Sequence, residues 1–275
     1  MPKGISRRFA GPWRVGSKLA RRLPPIDRFD RRLPARNTDK NNEFPMRSPI
    51  PQNPDPQADG PDEPDAPVRA KSIAKYRQRA AGYDATCGPT WPIRERAVAA
   101  LQLRPGQRVL DVGCGTGLSL ELLRAAVGPD GMVYGCDQSP EMLAIARRRQ
   151  ADAGWSNVQL MQSAAQLVEL PEAVDALLFH YTHDVLRSPA ALARLLACAR
   201  PQARVAIAGV KYFPGWLAPL NLWVYFKNYG YNGAPGELAT PWDRILPFLD
   251  GWQMEPTQFG MGYIGSGRVA AAKAA

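Results

Sequence analysis

Three glycines at alternate positions, Gly113, Gly115 and Gly117, follow Asp111 and the apolar run Val109, Leu110 and Val112. Glycines spaced this way let the backbone turn at dihedrals closed to other residues and leave no Cβ between chain and ligand. A carboxylate two residues before the first glycine repels a pyrophosphate but suits a ligand that carries an ammonium group. A dinucleotide loop, G-x-G-x-x-G, would need its third glycine at Leu118. A second acid, Asp137, follows the loop by about 20 residues, the distance that one helix and one strand require. At a strand end its two oxygens can accept both hydroxyls of a ribose. The chain has two histidines, and both fall in His180-Tyr181-Thr182-His183-Asp184. Imidazole or carboxylate there can take a proton from a hydroxyl or an amine. Their i, i+3 spacing would also suit zinc. No further ligand cluster accompanies them, and Cys87, Cys114, Cys136 and Cys198 show no metal spacing, so no metal is expected. The plainer alternatives are a ligand-free α/β turn or a nicotinamide-nucleotide site for the loop, and capping or core-satisfied roles for the histidines.

These residues need elements to place them. The run 109–112 has the β-branched bias of a buried strand, and an amphipathic helix pattern extends from Leu118 to Val127. Gly128-Pro129-Asp130-Gly131 is a turn, Met132–Cys136 the next strand, and Ser139-Pro140 a helix cap and first turn. Val158–Met161 and Val174–Phe179 read as strands three and four, the latter delivering the histidines. Ser188–Ala199 is an amphipathic helix and Arg204–Val210 a fifth strand. Thr240-Pro241 opens a helix to Leu249, and Trp252–Glu255 and Phe259–Ala272 supply two last strands. Upstream, helices are expected over Val68–Ala81 and Pro92–Leu101, the second with Ile93, Ala97, Val98 and Leu101 on one face. The alternation of strand and helix points to a doubly wound, mostly parallel α/β sheet.

The net charge of +10 is unevenly spread: residues 1–36 hold 11 Lys/Arg against 2 Asp, whereas residues 37–67 hold 2 basic and 7 acidic residues. With prolines recurring from Pro45 to Pro67, residues 1–67 read as a disordered tail and residues 68–275 as one domain. The basic part of the tail could meet anionic lipid or nucleic acid, or be merely solvated. No run of 18 apolar residues and no N-terminal apolar signal region occur. Free thiols in a reducing, cytoplasmic setting are therefore expected.

The pattern Val-Leu-Asp-Val-Gly-Cys-Gly-Thr-Gly, continued by Asp137-Gln138-Ser139-Pro140-Glu141-Met142-Leu143, resembles the class I S-adenosylmethionine-dependent methyltransferases, with the ubiquinone/menaquinone and phospholipid N-methylating branch nearest. The resemblance spans about residues 70–275 and implies a seven-stranded Rossmann-like sheet with one antiparallel strand. It implies that Asp111, Gly113, Gly115 and Gly117 hold the methionine end of S-adenosylmethionine. Asp137 and Gln138 would lie at the ribose, and Met142, Ser163 and Ala164 at the adenine, where serine departs from the usual acid. A Tyr-Asp pair often precedes the first strand in that branch, which places Tyr83 against the cofactor. His180 would sit near the methyl-bearing sulfur, and Tyr181, His183 and Asp184 would serve the acceptor side, although the branch's usual His-His is absent.

After the fifth strand, residues 212–226 are rich in Trp, Tyr and Phe. By resemblance this stretch caps an apolar or aromatic small-molecule acceptor; it could instead dip into a membrane surface, with Lys211 and Lys227 at the headgroups. A membrane-associated lipid or quinone-precursor methyltransferase is one alternative function. A non-catalytic S-adenosylmethionine-binding domain is another. Nucleic acid is not favoured as a substrate, since no Asn/Asp-Pro-Pro-Tyr motif for flipped bases is present. Acceptor identity and oligomeric state are left open.

Overall fold

The computed structural model describes residues 82–229 and 238–271. Seven strands form one sheet: β1 (Arg108–Val112), β2 (Met132–Asp137), β3 (Val158–Gln162), β4 (Val174–His180), β5 (Ala199–Val210), β6 (Leu249–Thr257) and β7 (Gly262–Val269). Their order is β3-β2-β1-β4-β5-β7-β6. β1 to β5 run parallel, and β7 is antiparallel to both β5 and β6. The order reverses between β1 and β4, so the crevice of this open sheet lies over their carboxyl ends.

Helices α1 (Tyr83–Thr86), α2 (Trp91–Ala100), α3 (Leu120–Val127), α4 (Pro140–Asp152), α5 (His183–Arg187), α6 (Pro189–Ala197) and α7 (Ala218–Tyr229) accompany the sheet. Ile93 and Ala97 of α2, Leu120 and Leu123 of α3 and Ala146 of α4 pack with Val109, Val133, Ala176 and Leu178. Leu192, Leu195 and Leu196 of α6 pack with Leu110, Leu177, Phe179, Val205 and Ile207. Neighbours such as Val109 and Leu110 therefore serve opposite faces. Covering both faces is why the central strands read as unbroken apolar runs. Each fully buried Leu or Val stabilises the fold by roughly 1.5–3 kcal/mol.

Several boundaries move. The glycine turn continues to Ser119, so α3 starts at Leu120 rather than Leu118. β5 begins at Ala199, well before the expected Arg204, and α6 ends at Ala197. Pro201 is tolerated there because β7 pairs with β5 only from Arg204 onward. The expected helix from Thr240 to Leu249 does not form: turns lead to a short 3₁₀ segment at Leu246–Phe248. Pro247 lacks the N–H that a helix would need at that point. The Thr240 hydroxyl instead bonds the Asp243 carboxylate. Phe259 lies in the turn before β7 rather than in the strand. The expected 1–67 tail and the Val68–Ala81 helix lie outside the described residues.

Candidate functional site

All three loop glycines have positive φ: +65° at Gly113, +57° at Gly115 and +82° at Gly117. A Cβ on Gly113 would stand 2.6 Å from Thr182 Cγ2, and one on Gly117 2.7 Å from Leu120 Cδ1. A Cβ on Gly115 would meet nothing within 4 Å. Two glycines are thus required by packing, whereas the middle one borders open space. Asp137 fastens this loop: its Oδ2 accepts from the Gly115 N–H at 2.9 Å, and its Oδ1 accepts from the Ser139 N–H at 2.8 Å. Burial raises the Asp137 carboxyl, and the N–H groups of Ser139, Gly115 and Gln138 offset part of that rise. With three N–H groups against about four lone-pair sites, the carboxylate keeps room for a ligand hydroxyl.

Asp111 is 1% exposed, and its Oδ2 has no hydrogen-bond partner among the described residues. Burial pushes its carboxyl up to about 7; Arg94 draws it back down, and Asp137 adds to the rise. Arg94, on α2, is itself buried, with Nη1 donating to Ser119 Oγ at 2.5 Å and Nε unpartnered. Its charge also reaches His180. His180 ends β4, is 8% exposed, and leaves Nε2 without a partner. Burial first, then Arg94, hold it well below the usual histidine range, so it is neutral. Arg94 was not singled out in the sequence. Its signal was a charged residue three and four positions before Ala97 and Val98, on the face that must be buried.

Tyr181 adopts φ +61°, a left-handed conformation rare for a bulky residue. Its ring meets His180 at 4.8 Å, and its hydroxyl is buried and unpartnered, as are Thr182 Oγ1 and Asp184 Oδ1. His183 faces β5: its Nε2 lies 3.0 Å from the Val210 carbonyl oxygen and 3.2 Å from the Val210 nitrogen. Only its Nδ1 remains to meet a ligand.

Ser139 caps α4 by accepting from the Met142 N–H at 3.3 Å, and Met142 is buried in the first turn. The Ser163 N–H donates to the Asp137 carbonyl at 3.1 Å, while its hydroxyl bonds the Ala164 carbonyl at 2.9 Å; both residues are half-buried at the end of β3. Tyr83 is half-buried in α1, and Asp84 beside it was missed. Asp84 accepts from the Thr116 hydroxyl at 2.6 Å and pairs with Arg149 at 2.5 Å, tying α1 to the glycine loop and to α4.

The aromatic stretch divides. Val224, fully buried, joins Val210, Leu238 and Met261, with Tyr181, Tyr212 and Phe213 packed on this cluster. Trp216, Leu222, Trp223 and Phe226 are 80%, 61%, 52% and 67% exposed. The two tryptophans are thus largely exposed, while Tyr212, Phe213 and Val224 of the same stretch pack inward. Among the described residues no helix is long and apolar enough to cross a membrane, and no metal-binding cluster occurs.

The doubly wound sheet with an antiparallel seventh strand, the glycine loop and the acid closing β2 are features that the resemblance to class I S-adenosylmethionine-dependent methyltransferases implied. Residues 109–202, about a third of the chain, match the methyltransferase domain family. A demethylmenaquinone methyltransferase of Symbiobacterium thermophilum is 33% identical over 138 residues, covering 48% of this chain and 54% of that one. A 2-phytyl-1,4-naphtoquinone methyltransferase of Thermosynechococcus vestitus is 29% identical over 176 residues, 60% of this chain and 73% of that one. The chain spans between a third and about half the length of the first curated relatives it matches. The N-methyltransferase NodS of Bradyrhizobium japonicum, solved with S-adenosyl-L-homocysteine, shares the fold at a TM-score of 0.52 and 13% identity, over 72% of this chain and 98% of that one.

Proposed function

We propose that this chain binds S-adenosylmethionine and transfers its methyl group to a small, largely apolar acceptor. The observation that carries the reading is the Asp111 carboxylate: buried, with an orphaned oxygen, beside a glycine loop that leaves open space at Gly115. A buried anion without a partner is costly, and a cationic group of a ligand would relieve that cost. When bound, the cofactor supplies a methyl already activated on a sulfonium. The protein's own residues then align, exclude water and handle a proton. Asp111 and the glycine loop meet the methionine end, Asp137 and Gln138 the ribose, and Met142, Ser163 and Ala164 border the base. His180, neutral with Nε2 free, faces the reacting centre. Proton removal falls to His180 Nε2, to Asp184 or, with Nε2 engaged by Val210, to His183 through Nδ1. The demethylmenaquinone and 2-phytyl-1,4-naphtoquinone methyltransferases among its relatives support a flat, apolar acceptor.

Calorimetric titration of the full chain with S-adenosylmethionine, with NAD as control, tests this. Micromolar binding that is lost in Asp137→Ala is expected. Binding of NAD instead, or no binding of S-adenosylmethionine, refutes it.

We also infer peripheral contact with a membrane surface through residues 212–226. Three exposed aromatic side chains, Trp216, Trp223 and Phe226, lie on or beside α7. Tryptophan suits the headgroup level, where one edge is apolar and the other wet. Co-sedimentation with anionic vesicles should fall on Trp216→Ser with Trp223→Ser, while the melting temperature stays put. Unchanged sedimentation removes the inference.

A further inference from the structure

Nine buried side-chain polar atoms have no partner among the described residues. Arg94, Asp111 and His180 belong to the cofactor side and its border with the methyl group. A second group lies farther along the sheet edge, around His183. Tyr181 is at the end of β4, its ring centroid 6.4 Å from that of His183. Tyr263, near the start of β7, pairs with Gly209. A Cβ on Gly209 would stand 2.6 Å from His183 Nε2 and 3.3 Å from Tyr263 Cε1, so both rings crowd one glycine. β7 runs antiparallel to β5, so its first residues, not its last, reach the carboxyl-end crevice.

Tyr263 is fully buried and its hydroxyl is unpartnered; the Tyr181 hydroxyl is in the same state. Apolar side chains pack on these rings: Tyr181 lies with Val210, Val224 and Met261, and Trp242 meets the Tyr263 ring edge-on at 4.7 Å. Two phenols buried without partners each leave a donor unsatisfied, which proteins avoid unless something enters to accept. Burial raises Tyr181 to about 12 and moves Tyr263 upward too, with Tyr181 adding to the latter. Both phenols therefore keep their protons at neutral pH and can only offer O–H to a ligand oxygen or accept from one.

Resting on the methyltransferase reading above, we infer that Tyr263, together with Tyr181, is a specificity-determining residue that holds an oxygen of the acceptor. The acceptor is accordingly a flat apolar molecule bearing a carbonyl or hydroxyl oxygen, and an amine on a hydrocarbon without such an oxygen is disfavoured. Tyr181 sits next to His180, so an oxygen held by the phenols lies on the acceptor side of that imidazole.

The test uses the full chain saturated with S-adenosylhomocysteine and two probes of one shape, 1-tetralone and tetralin, compared by calorimetry. The ketone should bind about tenfold tighter than the hydrocarbon, the fold-change expected of a buried hydrogen bond. Tyr263→Phe should cut that preference severalfold while leaving tetralin and S-adenosylhomocysteine affinities unchanged, which a merely structural role would not do. Equal binding of the two probes by the natural protein, or a preference that survives Tyr263→Phe, overturns the inference. If Tyr263→Phe fails to fold, Tyr181→Phe and the natural protein's preference decide in the same way. Absence of S-adenosylhomocysteine binding would count against the cofactor reading alone, and the two probes are then compared on the chain without it.

Discussion

Alanine at Gly115 and alanine at Gly117 should fail for opposite reasons. Gly115 sits at φ +57° with nothing within 4 Å of an added Cβ. The methyl costs only the left-handed strain, about 1–2 kcal/mol. Gly117 sits at φ +82°, and its Cβ would stand 2.7 Å from Leu120 Cδ1, 3.2 Å from Ala146 Cβ and 3.4 Å from Ala146 Cα. Leu120 and Ala146 are fully buried, so overpacking of about 1–3 kcal/mol adds to the strain, for roughly 2–5 kcal/mol in all. At about 2–4 °C per kcal/mol for a domain of this size, Gly117→Ala melts well below Gly115→Ala. Titration with S-adenosylhomocysteine should rank them the other way among folded molecules. The Gly115→Ala methyl projects into the ligand's space and should weaken binding at least about tenfold, a cost of ~1.4 kcal/mol or more. Thermal melting with and without the ligand reads both effects on one sample. A Gly115→Ala variant that binds S-adenosylhomocysteine as the natural protein does would refute the argument that this glycine borders the cofactor.

The remaining predictions concern charge. Asp111, at about 7 when folded against 3.8 in an open chain, binds more protons folded than unfolded across that window. Stability therefore falls as pH rises from about 4 to about 7 and is flat above, by roughly 4 kcal/mol if the whole shift is realised. Asp111→Asn should flatten that slope in denaturant titrations; an unchanged slope assigns it elsewhere. Binding of the cationic ligand at pH 6 should release a proton from Asp111, visible as a dependence of calorimetric heat on buffer ionisation. Asp84→Ala removes a pair whose members are 32% and 40% exposed, so the global stability change should stay under about 1 kcal/mol. Its larger effect should be several-fold weaker S-adenosylhomocysteine binding through release of α1; equal affinity would show that α1 does not serve the site.

The parts of the site that the sequence made legible are those that local chemistry dictates. Asp111 and its glycines, and Ser139-Pro140 after Asp137, carry their signal within a few residues. Arg94, Asp84 and Tyr263 gain meaning only from the fold: Arg94 from Ser119, Asp84 from Thr116 and Arg149, Tyr263 from Gly209 and His183. His183 looked like a base by residue type, yet its Nε2 meets Val210 at the end of β5, 27 residues further on. The segment 240–249 misled because Thr240-Pro241 has the composition of a helix start, whereas the Thr240 hydroxyl bonds Asp243 and Pro247 denies a helix its continuation. β5 looked short because Pro201 reads as a breaker unless one knows that its neighbour strand joins only farther on.

The reversed direction of β7 has a consequence for how the molecule can vary. The residues placed from the glycine loop to the base, Asp111 to Ala164, lie in one run of the chain, with Tyr83 and Arg94 before it and His180 after it. Tyr263 enters from the far end, just after the turn at 258–260 that joins two strands at the sheet's edge. Changes of length or residue type in that turn can reshape the acceptor wall without shifting the register of β1, β2 or β4. Donor and acceptor recognition are thus written in separate stretches of sequence, so one can be altered while the other is left intact.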